Sequence, residues 1–219
     1  MKITIDGPAG SGKSSVAKEV SKRLGIPYLN TGLAYRAFAY VSMKDGLQDV
    51  FEVFERPIQI VPQVAQTQVV YEGEDIQDRL HSEEVGRRAS QIATLPGFRE
   101  RINRFFRELL GEGEAVVEGR DAGTHIFPRA ELKIFLTASA EERAKRRWQQ
   151  LKREGLQADY EEVLKAILER DHRDANRPLY PFRPAEDAVL IDTTHMSIEQ
   201  VVHKVLTLLE EIKGKSLKG

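Results

Sequence analysis

Residues Gly7 to Ser15 read Gly-Pro-Ala-Gly-Ser-Gly-Lys-Ser-Ser, a run whose types and spacing suit the capture of phosphate. Four residues separate Gly7 from Gly12-Lys13-Ser14, which satisfies G-x-x-x-x-G-K-[ST]. Glycines at 7, 10 and 12 admit positive φ, so backbone N–H groups can turn inward around an anion. A helix starting near Gly12 adds unpaired N–H groups and the positive end of its dipole. Lys13 would reach the β and γ phosphates as a movable point charge, and the Ser14 hydroxyl is the candidate ligand for Mg²⁺. The pattern arises by chance in roughly one chain in a hundred of this length, so its setting matters. Ile3-Thr4-Ile5 ahead of it reads as a strand; Val16, Val20 and Leu24 behind it share one helical face, and Gly25 is placed as a stop.

The second chemical signal is arginine. Of 33 basic residues 20 are arginine, many falling after predicted strand ends or within 143–183. The planar guanidinium grips phosphate oxygens in pairs and keeps its charge. One loop already takes a triphosphate, so arginines on the same face imply a second phosphorylated ligand. Arg36, Arg120 and Arg177 each sit just past a predicted strand or beside a helix end, within reach of that face. Arg101, Arg104 and Arg107, beside Glu100 and Glu108, read instead as surface ion pairs. Asp121 directly follows Arg120, and Asp174 precedes Arg177 by three residues, so each carboxylate can orient a guanidinium. His125 and His172 have no second histidine or cysteine at ligand spacing.

The elements that must position these groups alternate. Ile26 to Asn30 reads as a second strand, and Thr31 as the cap of a helix through Tyr35, Phe38 and Val41 to about Lys44, stopped by Asp45-Gly46. Strand, helix, strand, helix predicts a parallel α/β sheet. Residues 56–78 break the rhythm: 58–61 and 68–71 read as short strands, 72–75 as a turn, and a third piece begins at Ile76. We expect a small antiparallel insert there. Helices follow from Ser82 to Leu95 and from Pro96 to Gly111, then a strand at 115–118 and the loop Gly119-Arg120-Asp121-Ala122-Gly123-Thr124. Loops at the carboxyl ends of strands are where open α/β sheets bind ligands. A strand at 132–136, a helix capped by Ser139 and Glu142 and ending at Gly155, a helix capped by Asp159 and Glu162 and ending before Pro178, a strand at 188–192 and a helix capped by Ser197 and Gln200 complete the chain.

Composition excludes several classes. The 219 residues suit one domain. A net charge of −1 exerts no general pull on nucleic acid or membranes, so any anion site is local. With no cysteine there is no disulfide framework and no thiolate chemistry. No signal-peptide pattern stands ahead of the first strand and no run approaches the ~18 apolar residues of a membrane span. We expect a cytoplasmic monomer.

Five segments in order, Gly7 to Ser15, Thr31-Gly32 through Tyr35-Arg36, Ser90-Gln91 through Arg99, Glu118 through Thr124, and Arg170 through Arg177, together resemble the bacterial cytidylate kinase family. The resemblance spans nearly the whole chain. It implies a three-layer P-loop kinase fold with a five-stranded parallel sheet, an antiparallel insert for the monophosphate (56–95) and a helical lid (146–185). It implies transfer of the γ-phosphoryl group of Mg·ATP to CMP or dCMP. On that resemblance, Gly7, Pro8, Ala9, Gly10, Ser11, Gly12, Lys13, Ser14 and Ser15 hold ATP. Thr31, Arg36, Arg120 and Arg177 hold the acceptor phosphate, Ser90, Arg99 and Asp121 the cytosine edge, and Arg170 with Asp174 the sugar. Lys13, Arg120 and Arg177 act in catalysis. Asn30-Thr31-Gly32 stands where many relatives have Asp-Ser-Gly, and Glu118 replaces a more usual Asp.

The chemistry fits that assignment. A nucleoside monophosphate has a second phosphate pKa near 6, so its attacking oxygen is already largely deprotonated at pH 7 and needs no general base. An alcohol kinase, the nearest alternative, gains from an Asp beside the hydroxyl. A guanine-nucleotide switch should carry Asn-Lys-x-Asp, which does not occur.

Overall fold

The computed structural model describes residues 1–178 and 181–218. The chain runs β1 (Lys2–Asp6), α1 (Lys13–Leu24), β2 (Pro27–Asn30), α2 (Thr31–Lys44), a short 3-10 turn, β3 (Ile58–Val64), β4 (Gln66–Tyr71), β5 (Glu74–Asp75), a second 3-10 turn, α3 (Glu83–Ile92) and α4 (Pro96–Leu110). It continues through β6 (Ala115–Gly119), β7 (Leu132–Thr137), α5 (Ala140–Arg153), α6 (Tyr160–Ala175), β8 (Val189–Asp192) and α7 (Ile198–Ser216).

All eight strands form one sheet in the order β5-β4-β3-β2-β6-β1-β7-β8. The five from β2 to β8 are parallel, as expected. The three insert strands are antiparallel, but they are not a sheet of their own: Pro27 and Tyr28 of β2 pair with Val64 and Gln63 of β3 and carry the sheet onward. The third insert strand is only Glu74–Asp75; Ile76, expected to begin it, instead follows it, still donating its amide to Val69 O of β4, and is buried.

Helices cover both faces. Against one face pack Val16 and Val20 of α1 and Val201, Val202 and Val205 of α7, over Ile3, Ile5, Tyr28 and Ile134. Against the other pack α2, α3 and α4 through Phe38, Val85, Phe98, Ile102 and Phe106. Phe38, Phe54 and Phe98 pack there at ring separations of 5.0 to 6.3 Å. Burial of these side chains, about 1.5–3 kcal/mol each, holds the three layers together.

Two caps differ from the sequence reading. Asn30, not Thr31, caps α2, its side chain accepting from the Leu33 amide, so Thr31 is the first helical residue. Asp159 makes no side-chain capping bond to α6. The Ser197–Gln200 capping box forms in both directions. Ser139 caps α5 by accepting from the Glu142 amide.

Register places the site. Asp6 of β1 lies opposite Gly119 of β6, and Asn30 of β2 opposite Glu118. Three parallel strands therefore end level, and the loops that leave them, 7–12, the start of α2 and 120–126, open on one edge of the sheet.

Candidate phosphoryl-transfer site

The 7–12 loop turns back on itself through the Ser11 amide, which donates to Pro8 O at 3.2 Å. Gly10 and Gly12 take φ of 77° and 92°, while Gly7 does not lie in that region. Gly7 is needed for space instead: a Cβ there would come within 2.6 Å of the Leu136 carbonyl. The outer side of the loop is held by α5. Arg143 donates to Ala9 O at 3.4 Å, Arg146 to Gly10 O at 3.2 Å, and the Thr193 hydroxyl to Ser11 O at 3.1 Å. The carbonyls of Ala9, Gly10 and Ser11 are thereby occupied by donors from outside the loop.

Lys13 lies within the cleft, its Nζ 3.5 Å from Pro8 O. Burial first, and then Arg120 and Arg170 nearby, bring its pKa down to about 7. Arg120 is pushed down to about 10 by burial and by Arg170. Arg36 is also lowered, by burial and then by Arg170 and Arg147. Cations from α1, α2, the β6 loop and α6 thus converge, and the space between them is strongly favourable to a polyanion.

Carboxylates fix the geometry of these cations. Asp174, 4% exposed on α6, receives Arg120 on one oxygen and Arg177, at 2.6 Å, on the other. The Arg120 guanidinium also lies 5.2 Å over the Phe182 ring. Asp174 is therefore the partner of Arg120, and Asp121, its sequence neighbour, is not. Asp121 instead pairs with Arg99 of α4, which donates from Nε at 3.2 Å and lies at 3.1 Å through Nη2. Arg99 is anchored further on Ala93 O at 3.1 Å.

The expected acceptor residues are partly assembled. Arg36 donates to Leu80 O at 2.9 Å and lies beside Gly86, which ties α2 to the start of α3. The Thr31 hydroxyl is buried and donates to Glu118 O at 2.8 Å. Ser90 is exposed on α3, and Ser15 is exposed on α1. Of segment 146–185, Leu179 and Tyr180 lie outside the described residues. Of the arginines expected in surface ion pairs, Arg107 donates to His125 O at 3.1 Å, and Arg101 lies 4.9 Å over Phe54.

The cytidylate kinase family model matches residues 3–211. The chain belongs to the cytidylate kinase family. It is 56% identical over 214 residues to "Cytidylate kinase" of Aquifex aeolicus, covering 96% of each chain. It is 43% identical to "Cytidylate kinase" of Vibrio vulnificus (strain CMCP6), covering 95% of each. A solved structure of an uncharacterized protein from Eubacterium ventriosum superposes with a TM-score of 0.51 at 16% identity, over 96% of this chain and 98% of that one; this likeness concerns the fold alone.

Several groups around the family's loop were not legible as site residues. Asp6 ends β1 and accepts from the Ala122 amide at 3.0 Å and the Gly123 amide at 2.9 Å, so it joins the first loop to the 120–126 loop. Burial pushes its carboxyl up to about 7, against the pull of these two amides. Glu118 was visible only as a departure from the family pattern. It is buried and accepts from Ser14 Oγ at 2.7 Å. Arg143 and Arg146 could have been suspected from the arginine-rich helix, whereas nothing in the sequence marks Thr193.

Proposed function

We propose that the protein transfers the γ-phosphoryl group of ATP to CMP or dCMP, giving ADP and the nucleoside diphosphate. The observation that carries this reading is the meeting, across one cleft, of the Lys13 loop with Arg36, Arg120, Arg170 and Arg177. Two phosphorylated ligands that repel one another need such a set of opposed cations.

The loop amides and Lys13 would hold the donor's phosphates, and Arg120 and Arg177 the acceptor's. Preorganised cations aimed at oxygens that gain charge in flight contribute most of the catalysis expected of such a site. The clamp by Asp174 keeps two guanidiniums in place before substrate arrives, which reduces reorganisation during transfer. No proton need be removed from the acceptor, since its phosphate is already a dianion in part at pH 7. Ser14 Oγ and the Glu118 carboxylate are hard oxygen donors and suit Mg²⁺. Among the described residues, no group of three His, Cys, Asp or Glu is placed to hold a metal by itself. That fits a cation that keeps its waters and is carried by substrate phosphates. When bound, Mg²⁺ supplies charge neutralisation to the transferring group.

Base choice rests on Asp121 and Arg99. A cytosine amine can donate to Asp121, whereas the uracil carbonyl would meet it with like polarity, at a cost of ~1–3 kcal/mol. We read 146–185 as the lid and 56–95 as the monophosphate-binding insert. Closing the lid would keep water from the phosphoryl group. We also read the protein as a cytoplasmic monomer, which light scattering of the purified chain checks in part.

The test is ADP release with Mg·ATP against a panel of nucleoside monophosphates, shikimate and gluconate. CMP and dCMP should be favoured. Equal kcat/KM for CMP and UMP would remove the base assignment, and ADP release independent of acceptor would remove the kinase reading.

A further inference from the structure

Glu118 is a buried glutamate near the end of β6, and its length needs something to hold it. A buried glutamate carries an additional rotor, and each carboxylate oxygen must find a donor or remain desolvated without compensation. Both oxygens of Glu118 are satisfied. Oε1 accepts from Ser14 Oγ at 2.7 Å, and Oε2 accepts from the Tyr28 hydroxyl. Glu118 is 3% exposed and Tyr28 only 1%.

The sheet explains how they meet. Tyr28 and Asn30 are two residues apart on β2 and point to the same face. Asn30 is the residue opposite Glu118 in the parallel pair. Tyr28 belongs to the core beneath α1, the helix whose first turn presents Ser14. The tyrosine ring is thus anchored by apolar packing, and its hydroxyl stands under the carboxylate that faces the phosphate-binding loop. Next to it, Asn30 spends its side-chain oxygen on the Leu33 amide as a helix cap. It therefore adds no negative charge at the end of β2, where an Asp would. Among the described residues, the carboxylate hydrogen-bonded to Ser14 is that of Glu118, and its other oxygen is held by Tyr28.

We propose that Tyr28 is a positioning residue of the nucleotide site: by donating to one oxygen of Glu118, it keeps the other on Ser14, where Mg²⁺ and its waters would be received with the donor phosphates. Tyr28 touches neither substrate nor metal and acts through Glu118. The proposal rests on the Mg·nucleotide reading above. Outer groups that orient a metal's surroundings typically change metal affinity by 10–100-fold when removed.

The experiment compares ADP binding by calorimetry in Mg²⁺ and in EDTA, for wild type, Tyr28→Phe, Glu118→Asp and the double variant. The readout is the ratio of the two Kd values, which a general loss of structure does not selectively alter. In wild type Mg²⁺ should tighten ADP binding. In Tyr28→Phe that tightening should fall about tenfold while Kd in EDTA stays unchanged. Glu118→Asp draws the carboxylate back from the tyrosine, so adding Tyr28→Phe to it should change nothing further. An unchanged ratio in Tyr28→Phe, an equal loss in Mg²⁺ and EDTA, or full additivity in the double variant would overturn the proposal. Absence of any Mg²⁺ effect in wild type would instead overturn the reading on which it rests.

Discussion

The two halves of the cleft are built by different means. The proposed donor half is a loop of consecutive residues whose backbone amides would form the binding surface, with Lys13 the main side chain. The proposed acceptor half takes side chains from α2, the 120–126 segment, α4 and α6; Arg36 is held on Leu80 O, Arg99 on Asp121 and Arg120 on Asp174. Asp174 reaches 54 residues back to Arg120, and Arg99 reaches forward to Asp121. A backbone loop needs only glycine conformations and a strand-to-helix turn. A side-chain clamp needs several elements at fixed separations, and its cations repel one another until a carboxylate or a ligand offsets them.

The contrast predicts how each half fails. Lys13→Ala strikes the donor half and should lower kcat by about 10³-fold, with far-UV circular dichroism unchanged; near-normal turnover would show that the loop acts through its amides alone. Asp174→Asn strikes the acceptor clamp. It should lower kcat/KM for CMP by about 10²-fold through misplacement of Arg120 and Arg177, with KM for ATP little changed. An equal loss on both substrates in steady-state assays would mean that the halves are not separable. Asp121→Asn should bring the CMP to UMP ratio of kcat/KM down by about tenfold. If the ratio holds, base recognition lies elsewhere on the acceptor side.

Asp6 joins the halves, and its effect should appear in stability. Replacement by Asn leaves one of the two amides, Ala122 or Gly123, without its acceptor, at a cost of ~1–3 kcal/mol. It also removes a pH dependence. Burial raises the carboxyl from its ordinary 3.8 to about 7, so the folded protein binds this proton more tightly than the unfolded chain does. The contribution is fully present below 3.8 and is lost as pH rises to about 7. Urea denaturation across that range should show wild type losing stability relative to Asp6→Asn as pH increases; parallel curves would show that Asp6 does not titrate there.

Much of this molecule was legible in order of locality. The phosphate loop, α1 with Gly25 at its end, the Ser197–Gln200 box and the parallel strands follow from short-range patterns. Thr31 was misread as a cap because Asn30, equally able to cap, was placed in the preceding strand; it ends β2 and caps α2 at once. Asp121 was paired with the arginine beside it in sequence, but consecutive residues at a strand end diverge, and Asp121 lies against α4 while Arg120 turns to α6. Arg101 and Arg107 were assigned to ion pairs from nearby glutamates; Arg101 lies over the Phe54 ring and Arg107 donates to the His125 carbonyl.

The amino-acid sequence by itself determined the donor half, because a turn from strand to helix with glycines at set positions is a local property of the backbone. It also determined which residue types the acceptor half must contain. Only the tertiary structure decided who holds whom: that Asp174 clamps Arg120, that Asp6 joins two loops, and that Tyr28 stands under Glu118. These pairings depend on strand order, with β6 inserted between β1 and β2, and on register, which levels Asp6 with Gly119 and Asn30 with Glu118. Neither follows from spacing along the chain, because contacts between distant elements are set by packing both faces of the sheet at once.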